Sequence, residues 1–175
     1  MSLDVVVLRG APGAGKSTLA ARLTRRMPRS ALVEVDVVRG MLSRVDWSDR
    51  AQHDLALAGA MDLVQRFLHG GRRPIVLVDT FSRDLLTGVQ ARFDAEGIAH
   101  HTVSLRLDPD ELARRLRERA SGFKAWEPTR ILNDEVTRRR YPHETLLDVS
   151  GVSPRGVTAR VLLVLRMRAA ERRIS

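Results

Sequence analysis

Cysteine is absent from the 175 residues, which excludes a disulfide framework, a thiolate metal site and a cysteine nucleophile, and fits an intracellular, cytoplasmic setting. Aromatic residues make up only 4% of the chain, so the stacking platforms used by single-strand nucleic-acid binders are sparse. No apolar run approaches the roughly 20 residues of a membrane span. Residues 1–10 also lack the basic-then-apolar layout of a signal peptide. There is no internal repeat, low-complexity tract or Pro/Ser-rich linker. The five histidines show no metal-ligand spacing, and no G-x-S-x-G nucleophile elbow occurs. Lysine is nearly missing too: of 30 basic residues only Lys16 and Lys124 are lysine, a preference that a GC-rich coding sequence explains more simply than a binding adaptation.

What is present fits one domain spanning residues 1–175. Hydrophobic residues form 43% of the chain, enough for a proper core. The net charge is +9 and the isoelectric point about 11.4. Residues 1–100 carry 14 basic and 11 acidic side chains, residues 101–175 carry 16 and 10. A basic C-terminal part suits an anionic ligand, whether nucleotide phosphate or nucleic acid, and is equally what solvated arginines on helix faces would give.

Apolar runs rich in branched residues alternate with helical patterns, the signature of a parallel sheet covered by helices on both faces. Strands are expected at Val5–Leu8, Ala31–Val35, Pro74–Asp79, His101–Leu107 and Leu146–Val149. Helices are expected from Lys16 to about Met27, from about Ser48 to His69 with Leu55, Leu63, Val64 and Leu68 inward, and over Arg83–Glu96. Asp108-Pro109-Asp110-Glu111 starts another, with Asp as N-cap, Pro at the first position and Glu three residues after the cap. Ser121–Ile131 has weak periodicity and reads as a mobile loop. Ser153-Pro154 opens a terminal helix with Val157, Val161, Val164 and Leu165 inward.

Gly10-Ala11-Pro12-Gly13-Ala14-Gly15-Lys16-Ser17 matches G-x-x-x-x-G-K-[ST] without departure, after a buried strand and at a helix start. Glycines at 10, 13 and 15 let the backbone curl into a nest whose N–H groups face phosphate oxygens. The helix N-terminus adds its positive dipole end. Lys16 reaches the β- and γ-phosphates, the Ser17 hydroxyl coordinates Mg²⁺, and Thr18 completes the phosphate-side set. A compact ammonium fits here where a planar guanidinium would not. The motif therefore implies a nucleoside triphosphate, with ATP and Mg²⁺ as cofactors.

Other strand ends supply the remaining candidates. Alternation along the second strand puts Glu34 and Asp36 on one face. Asp36 is placed to accept the proton of an attacking substrate hydroxyl, or else forms a surface pair with Arg39 at a helix start. Arg39 holds an acidic group of the substrate or pairs with Asp36. Asp79 closes Ile75–Val78 in the Walker B manner, supporting Mg²⁺ through water beside Ser17, and the same residue type also caps helices. Thr80 and Ser82 are close enough to line the substrate cleft.

Taken together, G-x-x-x-x-G-K-S, Asp-x-x-Arg after the second strand, the Asp-Thr after the third and the Arg-x-x-x-Arg helix resemble the small P-loop kinases. The nearest group holds polynucleotide 5′-hydroxyl kinases, chloramphenicol phosphotransferase and the shikimate and gluconate kinases. The resemblance runs from Val5 to about Leu165. It implies a three-layer α/β P-loop NTPase fold, a five-stranded parallel sheet with helices on both faces and an Arg-rich lid at about 114–140. By resemblance, Asp36 is the general base and Arg115 and Arg119 are lid arginines, with Arg114 and Arg117 offering other registers and Arg138–Arg140 extending the charge. Leu147–Gly151 matches the segment leading into the adenine-contacting loop, which puts Gly151 at the nucleotide. Shikimate kinases carry two aspartates where this chain has Glu34 and Asp36. The expected activity is ATP- and Mg²⁺-dependent phosphotransfer to a small-molecule hydroxyl, in a metabolite or antibiotic. Phosphotransfer to a polynucleotide 5′-hydroxyl is the alternative, and a nucleotide-binding module or slow NTPase switch the rival of another class. A monomer or homodimer, with no membrane partner, completes the expectation.

Overall fold

The computed structural model describes residues 3–118, 123–138 and 141–174. Its centre is β1 (Val5–Gly10), every residue of which is buried. Parallel pairing places β3 (Ile75–Val78) on one side of β1 and β4 (His100–Arg106) on the other. β2 (Ala31–Glu34) and β5 (Glu144–Asp148) close the edges, giving the order β2-β3-β1-β4-β5. The expected five-stranded parallel sheet of the P-loop NTPase class is therefore present.

Strand alternation divides the core in two. Val6, Leu8, Val76 and Val78 point to the face covered by α1 (Lys16–Thr24) and α7 (Pro154–Ile174), where Leu19, Leu23, Val157, Val161 and Leu165 meet them. Val5, Val7, Ile75 and Leu77 point to the face covered by α3 (Arg50–His69) and α4 (Arg83–Ala95), against Met61, Val64, Leu86 and Phe93. Each such side chain taken wholly from water contributes about 1.5–3 kcal/mol. Val164 is only half-buried, unlike its expected inward placement.

Three expectations are corrected. In α3 the inward stripe is Ala56, Ala60, Met61, Val64 and Leu68, while Leu55 and Leu63 are 63% and 37% exposed. Small alanines let the helix approach closely, and Gly59 packs where a Cβ would lie 3.3 Å from Val38. Val64 and Leu68 thus point inward as expected, while Ala56, Ala60 and Met61 complete the face in place of Leu55 and Leu63. Strand β2 stops at Glu34, and Asp36 lies in the first turn of the short α2 (Val35–Arg39), so strand alternation does not govern its direction.

The third correction is a helix, α6 (Trp126–Arg138), which replaces most of the expected loop over 121–131. Its buried face is Thr129, Asn133 and Val136. The Asn133 amide pairs with both backbone groups of Leu107, accepting from its N–H at 3.1 Å and donating to its carbonyl at 2.8 Å. A helix whose inward face is mostly polar carries no apolar periodicity to detect. α5 (Pro109–Glu118) starts as expected, the Asp108 carboxylate accepting the N–H groups of Asp110 and Glu111.

Candidate active site

Most of the described candidate residues gather at the carboxyl ends of the strands, in adjoining cavities. The central one, 230 Å³, is enclosed by Gly13, Gly15, Lys16, Ser17, Thr18, Glu34, Asp36, Asp79 and Arg115. The loop that forms it is shaped by glycine. Gly13 and Gly15 have φ of +87° and +90°, a left-handed backbone that residues with a Cβ rarely adopt. At Gly10 a Cβ would lie 2.8 Å from the Leu105 carbonyl oxygen, so only glycine lets the loop leave β1 against β4. Ala11 and Ala14 are buried beneath the turn, the Ala14 N–H donating to the Ala11 carbonyl at 3.1 Å.

Gly15 is also the N-cap of α1, which has no side-chain cap and no acidic residue in its first turn. The helix therefore presents bare N–H groups and a positive dipole end to the cavity. The Lys16 ammonium donates to the carbonyls of Gly10 and Ala11 at 2.8 and 3.1 Å. It thus lies folded along the loop.

Towards α7 the cleft narrows to a 90 Å³ depression that shares Gly15, Thr18 and Arg115 with the central cavity and is walled by Leu19, Val149, Val152 and Val157. Gly151 falls between Val149 and Val152 in the chain, with φ +64°, and is exposed and not among the residues lining the depression. Its N–H donates to the Glu111 carboxylate at 2.9 Å. The same carboxylate accepts from Arg115, and these contacts, the Gly151 N–H first, hold it below the usual range. Arg115 is thus the arginine of α5 that lines the central cavity. Arg114 pairs instead with exposed Glu118 at 3.0 Å. Arg119, Arg139 and Arg140 lie outside the described residues.

On the other side the central cavity opens into one of 520 Å³, with Lys16, Asp36 and Asp79 common to both. Arg39, Thr80 and Ser82 line it as the sequence leads one to expect, and so does Pro12, which the motif places with the nucleotide instead. Arg39 is 4% exposed. Its guanidinium donates to the carbonyls of Asp46 and Asp49 at 2.5 and 2.7 Å and lies over the Trp47 ring, 5.3 Å from its centre. It therefore shapes the wall formed by residues 46–49.

Sequence reasoning missed His53, Trp47, Leu85, Phe123, Pro128 and Leu132, all in this cavity. The His53 Nε2 lies 2.8 Å from the buried Asp79 carboxylate, and that hydrogen bond raises the imidazole's pKa above its ordinary value. Only the packing of α3 over the end of β3 brings these residues together across 26 positions, and no local spacing announces it.

The oxygen donors of Ser17, Glu34, Asp36 and Asp79 around one small cavity suit a hard cation such as Mg²⁺, which takes few protein ligands and keeps waters and phosphate oxygens. Among the described residues no group of three His, Cys, Asp or Glu side chains forms a self-sufficient metal site, and no helix is long and apolar enough to cross a membrane.

The comparisons agree with this geometry. No curated protein matches the sequence significantly. Among solved structures, a gluconokinase from Sinorhizobium meliloti 1021 is 18% identical over 99% of this chain and 98% of that one, with TM-score 0.68. A sugar kinase from Janibacter sp. HTCC2649 is 16% identical over 96% and 97%, TM-score 0.69. The Deinococcus radiodurans tunicamycin resistance protein is 17% identical over 94% and 96%, TM-score 0.65. The AAA domain family model matches residues 5–143. The chain belongs to the AAA domain family and is, as its resemblance implied, a small P-loop kinase in fold.

Proposed function

We propose that the protein transfers the γ-phosphoryl group of ATP to a hydroxyl of a small molecule, with Mg²⁺. The observation that carries the reading is the row of connected cavities. A 230 Å³ cavity rich in phosphate-binding groups shares Lys16, Asp36 and Asp79 with a 520 Å³ cavity on one side and Arg115 with an apolar 90 Å³ depression on the other. A nucleotide-binding module or hydrolytic switch has no use for the larger space.

In this arrangement the base and sugar lie toward Val149, Val152 and Gly151, and the phosphates lie on the N–H groups of residues 13–18. Lys16 leaves the carbonyls of Gly10 and Ala11 for the β- and γ-phosphates. Ser17, and Asp79 through water, would hold Mg²⁺, which would supply positive charge to the phosphate oxygens. The acceptor oxygen attacks the γ-phosphorus, the bond from that phosphorus to the β,γ-bridging oxygen breaks, and ADP departs. Asp36, common to both cavities, accepts the hydroxyl proton. Arg115 stabilises charge on the moving group, and Arg119 is proposed to join it from the lid. Thr80 and Ser82 offer hydroxyls to the acceptor, while Arg39 holds the wall against which it lies.

The acceptor cavity mixes these polar groups with Trp47, Leu85, Phe123 and Leu132, which fits a small molecule with polar and apolar faces better than a tracked phosphate backbone. The relatives named as gluconokinase and sugar kinase support a hydroxyl acceptor. The test is a panel of metabolites, sugars and antibiotics with γ-labelled ATP, run beside 5′-hydroxyl oligonucleotides across a salt series. Label on a small molecule, lost in Asp36→Asn, is the expected result. Efficient, salt-sensitive 5′-end labelling would overturn the small-molecule reading, and ATP hydrolysis indifferent to every acceptor would overturn phosphotransfer.

A further inference from the structure

Arg9 continues the Val5–Val7 row of β1, one residue before the phosphate loop, and no step above uses it. Its side chain is fully buried, where a charge is costly unless every donor is placed. The donors go to separate parts of the molecule. Nε donates to the Phe81 carbonyl at 2.6 Å, Nη1 approaches Glu144 at 3.5 Å, and Nη2 is bonded to Glu135. The Tyr141 ring lies 5.3 Å from the guanidinium carbon.

Two of those partners stand beside residues that line the acceptor cavity. Phe81 has φ +41°, a conformation that bulky residues adopt only when the surroundings impose it. Its neighbours Thr80 and Ser82 line the cavity. Glu135 is on α6, three residues beyond Leu132, which lines the same cavity with Pro128. Glu144 has the character of a fixed anchor: it accepts the Ser104 hydroxyl and, at 2.8 Å, the Tyr141 N–H, and its side chain is 1% exposed. Glu135 is 25% exposed and joins the network from its edge. An arginine serving only to fill the core would be satisfied by Glu144 and water-excluding neighbours. This one also grips a strained carbonyl and a helix.

We propose that Arg9 is a positioning residue that ties loop 79–82 and helix α6 to the strand carrying the phosphate loop, so that both parts of the acceptor cavity keep a fixed relation to Lys16. The proposal rests on the phosphotransfer reading for its purpose, but the mechanical link is testable without it. Hydrogen exchange by mass spectrometry, on the protein without nucleotide, compares wild type, Glu135→Gln and Arg9→Lys in peptides covering 79–86 and 126–138. Magnesium and a non-hydrolysable ATP analogue are titrated separately by calorimetry.

Glu135→Gln alters only the partly exposed end of the network, so it should fold even if Arg9→Lys does not. It is expected to speed exchange in both peptides by roughly tenfold or more, the effect of losing one charged hydrogen bond, with nucleotide affinity unchanged. With an acceptor from the panel, its KM should rise more than kcat falls. Acceleration confined to 126–138, no acceleration at all, or a matching loss of nucleotide affinity would each overturn the link. A wild type that shows coupled exchange yet binds no nucleotide would refute the phosphotransfer reading instead.

Discussion

On the proposed function, residues 10–18 form the backbone of the phosphate half from one unbroken stretch of chain, with Glu34, Asp36, Asp79 and Arg115 closing it, whereas the acceptor half is assembled almost wholly from side chains of α2, the loop before α3, α3 itself, residues 79–85 and α6. The first half works with backbone N–H groups, glycine conformations and a helix end, none of which depends on a distant partner. In the second, Asp79 is held by His53 and the wall at 46–49 by Arg39. A contiguous site is specified by local sequence. A dispersed site depends on packing, and its composition can change residue by residue while the fold stands.

Asp36 stands where the halves meet, and the comparison is tested hardest there. Asp36→Asn keeps the shape and removes the proton acceptor. The expected result is a fall in kcat of roughly 10²–10⁴ with ATP affinity nearly unchanged, measured by steady-state kinetics and calorimetry. A collapse of ATP affinity would assign Asp36 to the metal side and leave Glu34, which lines the same cavity, as the candidate base.

Lys16→Ala attacks the phosphate half alone. The ammonium lies folded onto the Gly10 and Ala11 carbonyls, and its loss should lower kcat/KM by roughly 10²–10³, the scale for one preorganised charge-stabilising group. Thermal unfolding should hardly move, because the loop is shaped by its glycines. Near-normal phosphotransfer in this variant would remove the assignment of the loop.

These differences explain what could be read from the sequence. The phosphate loop, the parallel strands, the α5 start at Asp108 and Asp79 at a strand end were legible because each is a local pattern with its own physical cause. α6 was not, since Thr129 and Asn133 occupy its inward face where apolar residues were sought. The α3 face was misjudged in part, because Ala56 and Ala60, not Leu55 and Leu63, set the contact. His53 and Arg9 were passed over because their partners lie 26 and 72 or more positions away. Asp36 lines both cavities from a helical turn rather than a strand face, so the alternation argued for it does not govern its place.

Arg39→Lys probes the acceptor half with a smaller expected effect. Lysine keeps the charge and can donate, but it lacks the flat guanidinium that lies over Trp47 while its Nη2 reaches both carbonyls. The wall at 46–49 should loosen, raising the acceptor KM by roughly tenfold while the ATP KM stays level. Trp47 reports the same event directly, since the guanidinium lies over its ring, and its fluorescence should shift to the red. An unchanged acceptor KM beside a shifted Trp47 would show that this wall does not touch the acceptor.

The smallest effect tests whether the nucleotide half is as independent of side chains as its loop makes it look. Glu111 joins the Gly151 N–H to Arg115, and both contacts favour its charged form, so its folded-state pKa lies below the ordinary 4.5. A depressed carboxylate contributes stability that is complete above its unfolded-state value and is lost as pH falls through the folded-state value. Wild type should therefore be more thermally stable than Glu111→Gln by a constant margin from neutral pH down to about 4.5, and that margin should close on further acidification. Affinity for an ATP analogue should follow the same course if Arg115 and the Gly151 segment need Glu111 to hold them at the cleft. A margin that persists below the folded-state value would mean that Glu111 acts through packing and not through its charge. An affinity that ignores the substitution at every pH would leave the phosphate loop sufficient by itself.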